Sequence, residues 1–123
     1  MTEKKFDIYE RAFKFATRVA LLVEKLPKSI AVSEYAGQLI RASGSVGANL
    51  EEADGALTTK DFINKLGIGR RESRESRHWL RLIKAVVRID NQKDEQELDW
   101  LINESTEIML ILSSIIKNTK DNH

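Results

Sequence analysis

The sequence predicts an all-α fold, an antiparallel up-down-up-down four-helix bundle. Three observations predict it. Apolar residues recur at alternating steps of three and four through four long segments, the period of a helix that buries one face. Proline occurs once, at Pro27, so little interrupts those segments. The connections between them are short, which makes neighbouring helices antiparallel. With 123 residues, 41% of them apolar and 32% charged, the chain has the length of one domain and the composition of a helix-rich protein with a real core. That domain is expected over residues 1–118, with a polar C-terminal tail at 119–123.

The first helix is expected over about residues 5–26. Phe6, Tyr9, Phe13, Ala16, Ala20 and Val23 make one apolar row, and Ala12, Phe15, Val19, Leu22 and Leu26 make a second beside it. Pro27 then ends the helix, because its ring blocks a continuing turn. Ser29 or Ser33 can cap the second helix, which is expected to run to about Leu57. Its seam reads Leu39, Ser43, Val46, Leu50, Ala53 and Leu57. The middle of that helix, ASGSVGAN (42–49), is unusual. Gly44 and Gly47 each cost about 1 kcal/mol relative to Ala, and close helix–helix approach would offset this.

Thr58 or Thr59 caps the third helix, and Thr58 with Asp61 resembles a capping box with Asp in place of Glu. The third seam is Phe62, Leu66, Gly69, Ser73, Ser76, Leu80, Ile83 and Val87, small in its middle like the second. A fold-back around residues 57–58 would place Gly47 near Gly69, and Gly44 near Glu72 and Ser73. Residues 90–94 form a polar linker in which Asp94 is a plausible cap. Helix four then carries Leu98, Leu101, Ile102, Ser105, Ile108, Met109, Leu112, Ile115 and Ile116. The two rows on helix one, and the added width of Ile111 on helix four, exceed what one bundle core hides. Such surplus apolar surface points to a homo-oligomer.

The composition excludes several kinds of chemistry. Without cysteine there is no disulfide framework, cysteine nucleophile or thiolate metal site. Two histidines, His78 and His123, cannot make a His cluster. A di-iron bundle needs Glu-x-x-His on two helices, and Glu75 with His78 is a single isolated match. Gly44, Gly47, Gly67 and Gly69 lie within helical patterns and follow no strand, so no phosphate loop is present. No cofactor, metal or catalytic group is expected, and the chain reads as non-enzymatic. The charged start, MTEKKFDIYERAF, and the lack of any apolar run near ~18 residues point to a cytoplasmic protein with no membrane partner.

Three stretches then stand together: RASGSVGANLEEA (41–53), KDFINKL (60–66) and ESRESRHWL (72–80). Their order and spacing resemble the four-helix-bundle proteins encoded by intervening sequences within bacterial 23S ribosomal RNA genes. Arg41, Ala42, Ser43, Ser45, Gly47, Ala48 and Asn49 match the first motif. Lys60, Asp61, Phe62 and Ile63 match the second, and Glu72, Glu75, Trp79 and Leu80 the third. The chain departs from the pattern at Gly69 and Arg70, where alanine and an aliphatic residue are expected. The resemblance implies a non-enzymatic bundle that forms a ring-shaped homopentamer. It also implies two kinds of partner, since a similar pentamer, the accessory protein of diversity-generating retroelements, engages nucleic acid and a reverse transcriptase. RNA or DNA is one; another protein, held by an adaptor scaffold, is the alternative.

Helix three carries the charge. Arg70, Arg74, Arg77, Arg81, Lys84 and Arg88 step by four and three along one face, with Arg71 and His78 flanking them. Residues 60–88 hold nine basic and three acidic residues, a net of +6 in a chain whose total is +1. Three readings stay open: a solvated face with ordinary ion pairs, a surface that tracks phosphates, or a contact to acidic residues of a neighbouring subunit. Glu51, Glu52 and Asp54, or Asp94, Glu95, Glu97 and Asp99, would serve the last. Glu72 and Glu75 share the row of Trp79, Leu82 and Val86 that borders the core, so they need a partner. Arg41 is the first candidate and Asn49 the second. With Gly44, Gly47, Gly69 and Trp79 these residues are expected to fix helix pairing. Trp79 and Trp100 read as packing anchors rather than as base-stacking platforms.

Overall fold

The computed structural model describes residues 2–122, with the backbone alone described for 2–7. Four helices account for nearly all of it: α1 (Thr2–Val23), α2 (Ile30–Asp54), α3 (Thr59–Val86) and α4 (Gln92–Asp121). Each packs on its neighbours in the chain, α1 closes on α4, and the α2–α3 pair is the most intimate. The result is the up-down-up-down bundle.

Local chemistry sets the ends. Ser29 caps α2, its side chain accepting the Val32 N–H at 3.1 Å. Thr58 does the same for α3 through the Asp61 N–H at 3.0 Å. At α4 the cap is Asn91, which accepts the Asp94 N–H at 2.8 Å. Asp94 therefore sits inside the first turn, where a carboxylate suits the helix dipole, and is not the cap expected from sequence. α1 stops at Val23, a turn before Pro27, through the bonds Lys25 N–H to Leu22 O and Leu26 N–H to Val23 O. α2 stops at Asp54, so Leu57, read as the last seam residue, lies in the connection and is 98% exposed. Residues 119–121, read as part of a polar tail, continue α4.

The core follows the expected seams on α2, α3 and α4. On α1 only one of the two rows is buried: Ala12, Phe15, Val19, Leu22 and Leu26, joined by Ile8. In the other row Phe13 is 70% exposed, and Tyr9 and Val23 pack at the core margin. Phe6 lies outside the described side chains. The bundle centre is small and polar. Ser43, Ser73, Ser76 and Ser105 are fully or almost fully buried, and each hydroxyl donates to a backbone carbonyl. The Ser73 hydroxyl reaches across to the Ser105 carbonyl at 2.8 Å, tying α3 to α4. Buried hydroxyls are tolerated only when bonded in this way.

α2 and α3 approach closely where the sequence predicts it, at the Val46–Gly47 peptide and Gly69. A Cβ on Gly69 would meet Val46 O at 3.6 Å and the Leu50 and Leu112 side chains at 3.7 Å, so α3 does approach the α2 backbone there. Gly47 instead faces α1, its Cβ position 3.9 Å from that of Ala12. A Cβ on Gly44 would face open space, with nothing within 4 Å. The Cβ positions of the three glycines meet three different surroundings: Gly44 and Gly47 point about 60° apart around α2, being three residues apart on a ~3.6-residue repeat, and Gly69 sits on α3.

Candidate nucleic-acid interface on the third helix

The seven cations proposed from sequence lie on or just beyond α3, and the structure separates them by what they touch. Arg70 donates to Ser113 Oγ at 3.2 Å, Arg77 donates to Thr106 Oγ1 at 3.2 Å, and Lys84 pairs with the Asp99 carboxylate. These donors recur every seven residues on α3 and their acceptors every seven on α4, so one row of the ridge lines the seam between the two helices. Arg74 and Arg81 stand outside that seam, exposed to solvent. Arg71, 62% exposed in its side chain, lies 3.7 Å from Glu72. Arg88 is not on the helical row. α3 ends at Val86, Val87 is extended, and Arg88 follows it, exposed. Among the described residues Arg70, Arg74, Arg77, Arg81 and Arg88 take part in no ion pair.

The residues assigned to helix pairing are distributed differently from expectation. No ion pair joins Arg41 to Glu72 or Glu75 among the described residues; Glu72 neighbours Arg71 and Glu75 is exposed. Arg41 is itself exposed and leans along its own helix toward Gly37. The Asn49 amide donates to the Ser45 carbonyl at 2.8 Å, one turn back in α2. Trp79 does bind α3 to α2, its ring 5.9 Å from that of Tyr35, with His78 edge-on at 5.0 Å. Trp100 also packs, under the Arg18 guanidinium at 3.5 Å, a cation–π contact.

The strongest polar contacts lie where the sequence reading did not look, between α1 and α4. Arg11 grips Glu104 with two hydrogen bonds of 2.9 and 2.7 Å, and Arg18 grips Glu97 with two of 2.8 and 2.5 Å. Lys25 lies 3.8 Å from Asp94. Such paired forks are the stronger class of ion pair. Glu104 is only 7% exposed. The bonds from Arg18 hold the Glu97 carboxyl below the usual carboxylate range, against the opposing effect of partial burial. Near the other end of α1, burial, and then the charge and hydrogen bond of Asp54, push the Tyr9 hydroxyl up to about 12. A signal for the ladder existed in sequence: Arg11, Arg18 and Lys25 step by seven, as do Glu97 and Glu104.

This arrangement segregates charge. Asp94, Glu97 and Glu104 of α4 turn to α1, while Asp99 pairs with Lys84 and the α3 arginines Arg70 and Arg77 meet hydroxyls. Among the described residues no group of three or more His, Asp or Glu is placed to hold a metal ion, and no helix is long and apolar enough to cross a membrane.

Comparison with known proteins bears on most of the chain. The family model for 23S rRNA-intervening sequence proteins matches residues 4–114. A crystal structure of a protein of unknown function, from the S23 ribosomal protein family of Bacteroides thetaiotaomicron VPI-5482, is 34% identical. It superposes with a TM-score of 0.74 over 93% of this chain and 98% of that one. No curated protein matches.

Proposed function

Because the chain belongs to the 23S rRNA-intervening sequence protein family, we propose that it is a non-enzymatic cytoplasmic scaffold, a homopentameric ring of bundles that binds RNA or DNA along α3. The observation that carries the nucleic-acid reading is the uncompensated charge of Arg70, Arg74, Arg77 and Arg81. Glu72 and Glu75 interrupt this run in sequence but fall off its row around the helix, Asp99 is taken by Lys84, and the α4 carboxylates at 94, 97 and 104 are engaged by α1. Phosphates would supply the missing anions, with affinity from counterion release. The ring reading is supported by the apolar side chains left in solvent, among them Phe13 at 70%, Leu21 at 60% and Leu110 at 58% exposure. A ring would present the basic face several times over and add weak contacts through avidity.

Fluorescence anisotropy with structured RNA and with duplex DNA, across a salt series, tests the interface. Binding should weaken steeply with salt, and Arg74→Glu with Arg81→Glu should abolish it while leaving the fold intact. Absence of binding at low salt removes the nucleic-acid reading. The alternative, an adaptor for another protein, draws on Ile30 at the start of α2 and Leu57 in the connection after it, 88% and 98% exposed. A partner recovered from lysate that survives nuclease treatment would favour it.

A further inference from the structure

Where α3 begins and α4 ends, an open cavity of about 290 Å³ lies between the two helices. Its lining combines two chemistries. Ile63, Ile68 and Ile116 provide apolar walls, and Arg70, Arg71 and Lys120 bring three cations to the same opening. Asn64 adds an amide that can both donate and accept. Of the three cations only Arg71 has a carboxylate neighbour among the described residues, Glu72 at 3.7 Å. Gly67 lines the space, and a Cβ there would meet nothing within 4 Å. A helical glycine with open space beside it forgoes about 1 kcal/mol of helix propensity, and no packing contact explains its presence.

We propose that this cavity receives one unpaired nucleotide, the base between the isoleucines and its phosphate on Arg70, Arg71 and Lys120. The proposal rests on the nucleic-acid reading of α3 and extends it from phosphate tracking to recognition of a base. The volume lies at the small end of ligand pockets, ~300–1,000 Å³, and suits a single base better than a larger ligand. Flipped or unpaired bases are held between apolar side chains and guanidinium planes, with their edges read by amides. Arg70 lies on the ridge as well as on the cavity, so a strand lying along Arg74, Arg77 and Arg81 would lead into it. A nucleotide could arrive free or within a strand, and the two sources share the same chemistry.

The test uses the full chain and the variant Gly67→Leu, whose side chain fills the cavity from a site with room for it. Amide chemical shifts are followed by NMR during titration with adenosine or uridine monophosphate, the parent nucleosides, or inorganic phosphate. The mononucleotides should give saturable shifts confined to residues 63–71 and 116–120, at least threefold tighter than phosphate or nucleoside alone. Gly67→Leu should remove those shifts without lowering the melting temperature. A hairpin with unpaired loop nucleotides should bind the chain at least fivefold better than a fully paired duplex of equal charge, and Gly67→Leu should erase the difference. Mononucleotide shifts without that hairpin preference would identify the free nucleotide as the occupant. Equal response to phosphate and mononucleotide, or nucleotide shifts unchanged in Gly67→Leu, would overturn the proposal. Should Arg74→Glu with Arg81→Glu abolish strand binding while Gly67→Leu changes nothing, the ridge stands and the cavity falls.

Discussion

Glu104 shows how much one side chain can carry in this bundle. It is a nearly buried carboxylate whose two oxygens both accept from Arg11. Glu104→Ala removes two charge-assisted hydrogen bonds across the α1–α4 seam, and the expected loss is about 2–3 kcal/mol, read by chemical denaturation. Lys84→Ala breaks a pair exposed on both sides and should cost well under 1 kcal/mol by the same measurement. pH acts through the neighbours of these residues. Glu97 has its folded-state affinity for protons lowered by Arg18, so its contribution is present above the ordinary carboxylate value, ~4.3, and is lost as the pH falls through the lower folded value. Tyr9 works in the opposite sense. Its folded value of about 12 exceeds the free value, so its contribution is complete below the free value, about 10, and disappears as the pH rises toward 12. Glu97→Gln should flatten the acid limb of a stability–pH curve and Tyr9→Phe the alkaline limb.

Among the elements, α3 is the least conventional. Its buried middle is Gly69, Ser73 and Ser76, too small to hold two helices apart, and so it comes close to the α2 backbone at Val46. Small residues here substitute backbone proximity for side-chain volume. The glycines can be separated by substitution. Gly44→Ala adds a methyl in open space within a helix and should stabilise by roughly 1 kcal/mol. Gly69→Ala, where a methyl would sit at ordinary contact distance from Val46, Leu50 and Leu112, should be neutral or mildly stabilising. Gly69→Leu has no such room and should destabilise by about 1–3 kcal/mol through overpacking. Thermal melts of the three variants give that order directly. If Gly69→Leu melted with the parent, close approach of α3 to α2 would not be a stability determinant.

At the scale of the whole molecule, charge and apolar surface are both distributed unevenly. One seam, α1–α4, takes up carboxylates in paired forks, and the other, α3–α4, leaves guanidinium groups facing hydroxyls. Phe13 and Leu21 extend from the outside of α1, where the bundle has no further layer to cover them. Native mass spectrometry at micromolar concentration should give five copies of the 14.0 kDa chain, and Phe13→Glu should shift the distribution toward the single copy. A monomer for the parent chain would remove the ring reading while leaving the fold as it is. If the ring and ridge are linked, dissociation by Phe13→Glu should also weaken nucleic-acid binding more than tenfold through lost avidity.

Periodicity specified the four helices and most of the core, since a 3.6-residue repeat marks the buried face whatever it packs against, and the short connections specified their antiparallel order. Ser29 and Thr58 were each legible as one of two candidate caps, because capping is a local competition for backbone N–H groups, and the structure selected between them. The family, too, could be read from motif order at 41–53, 60–66 and 72–80. Which of two parallel rows on α1 faces inward was decided by the tertiary structure, as was the separation of Gly44, Gly47 and Gly69 into three surroundings. So was the choice of partner for each charge: Glu97 and Glu104 face α1, Arg70 and Arg77 meet α4 hydroxyls, and Arg41 meets neither Glu72 nor Glu75. The reason is geometric. A sequence fixes the angle of a residue around its own helix, but a contact also depends on the rotation and axial offset of the helix opposite, and those emerge only when all four seams are packed at once.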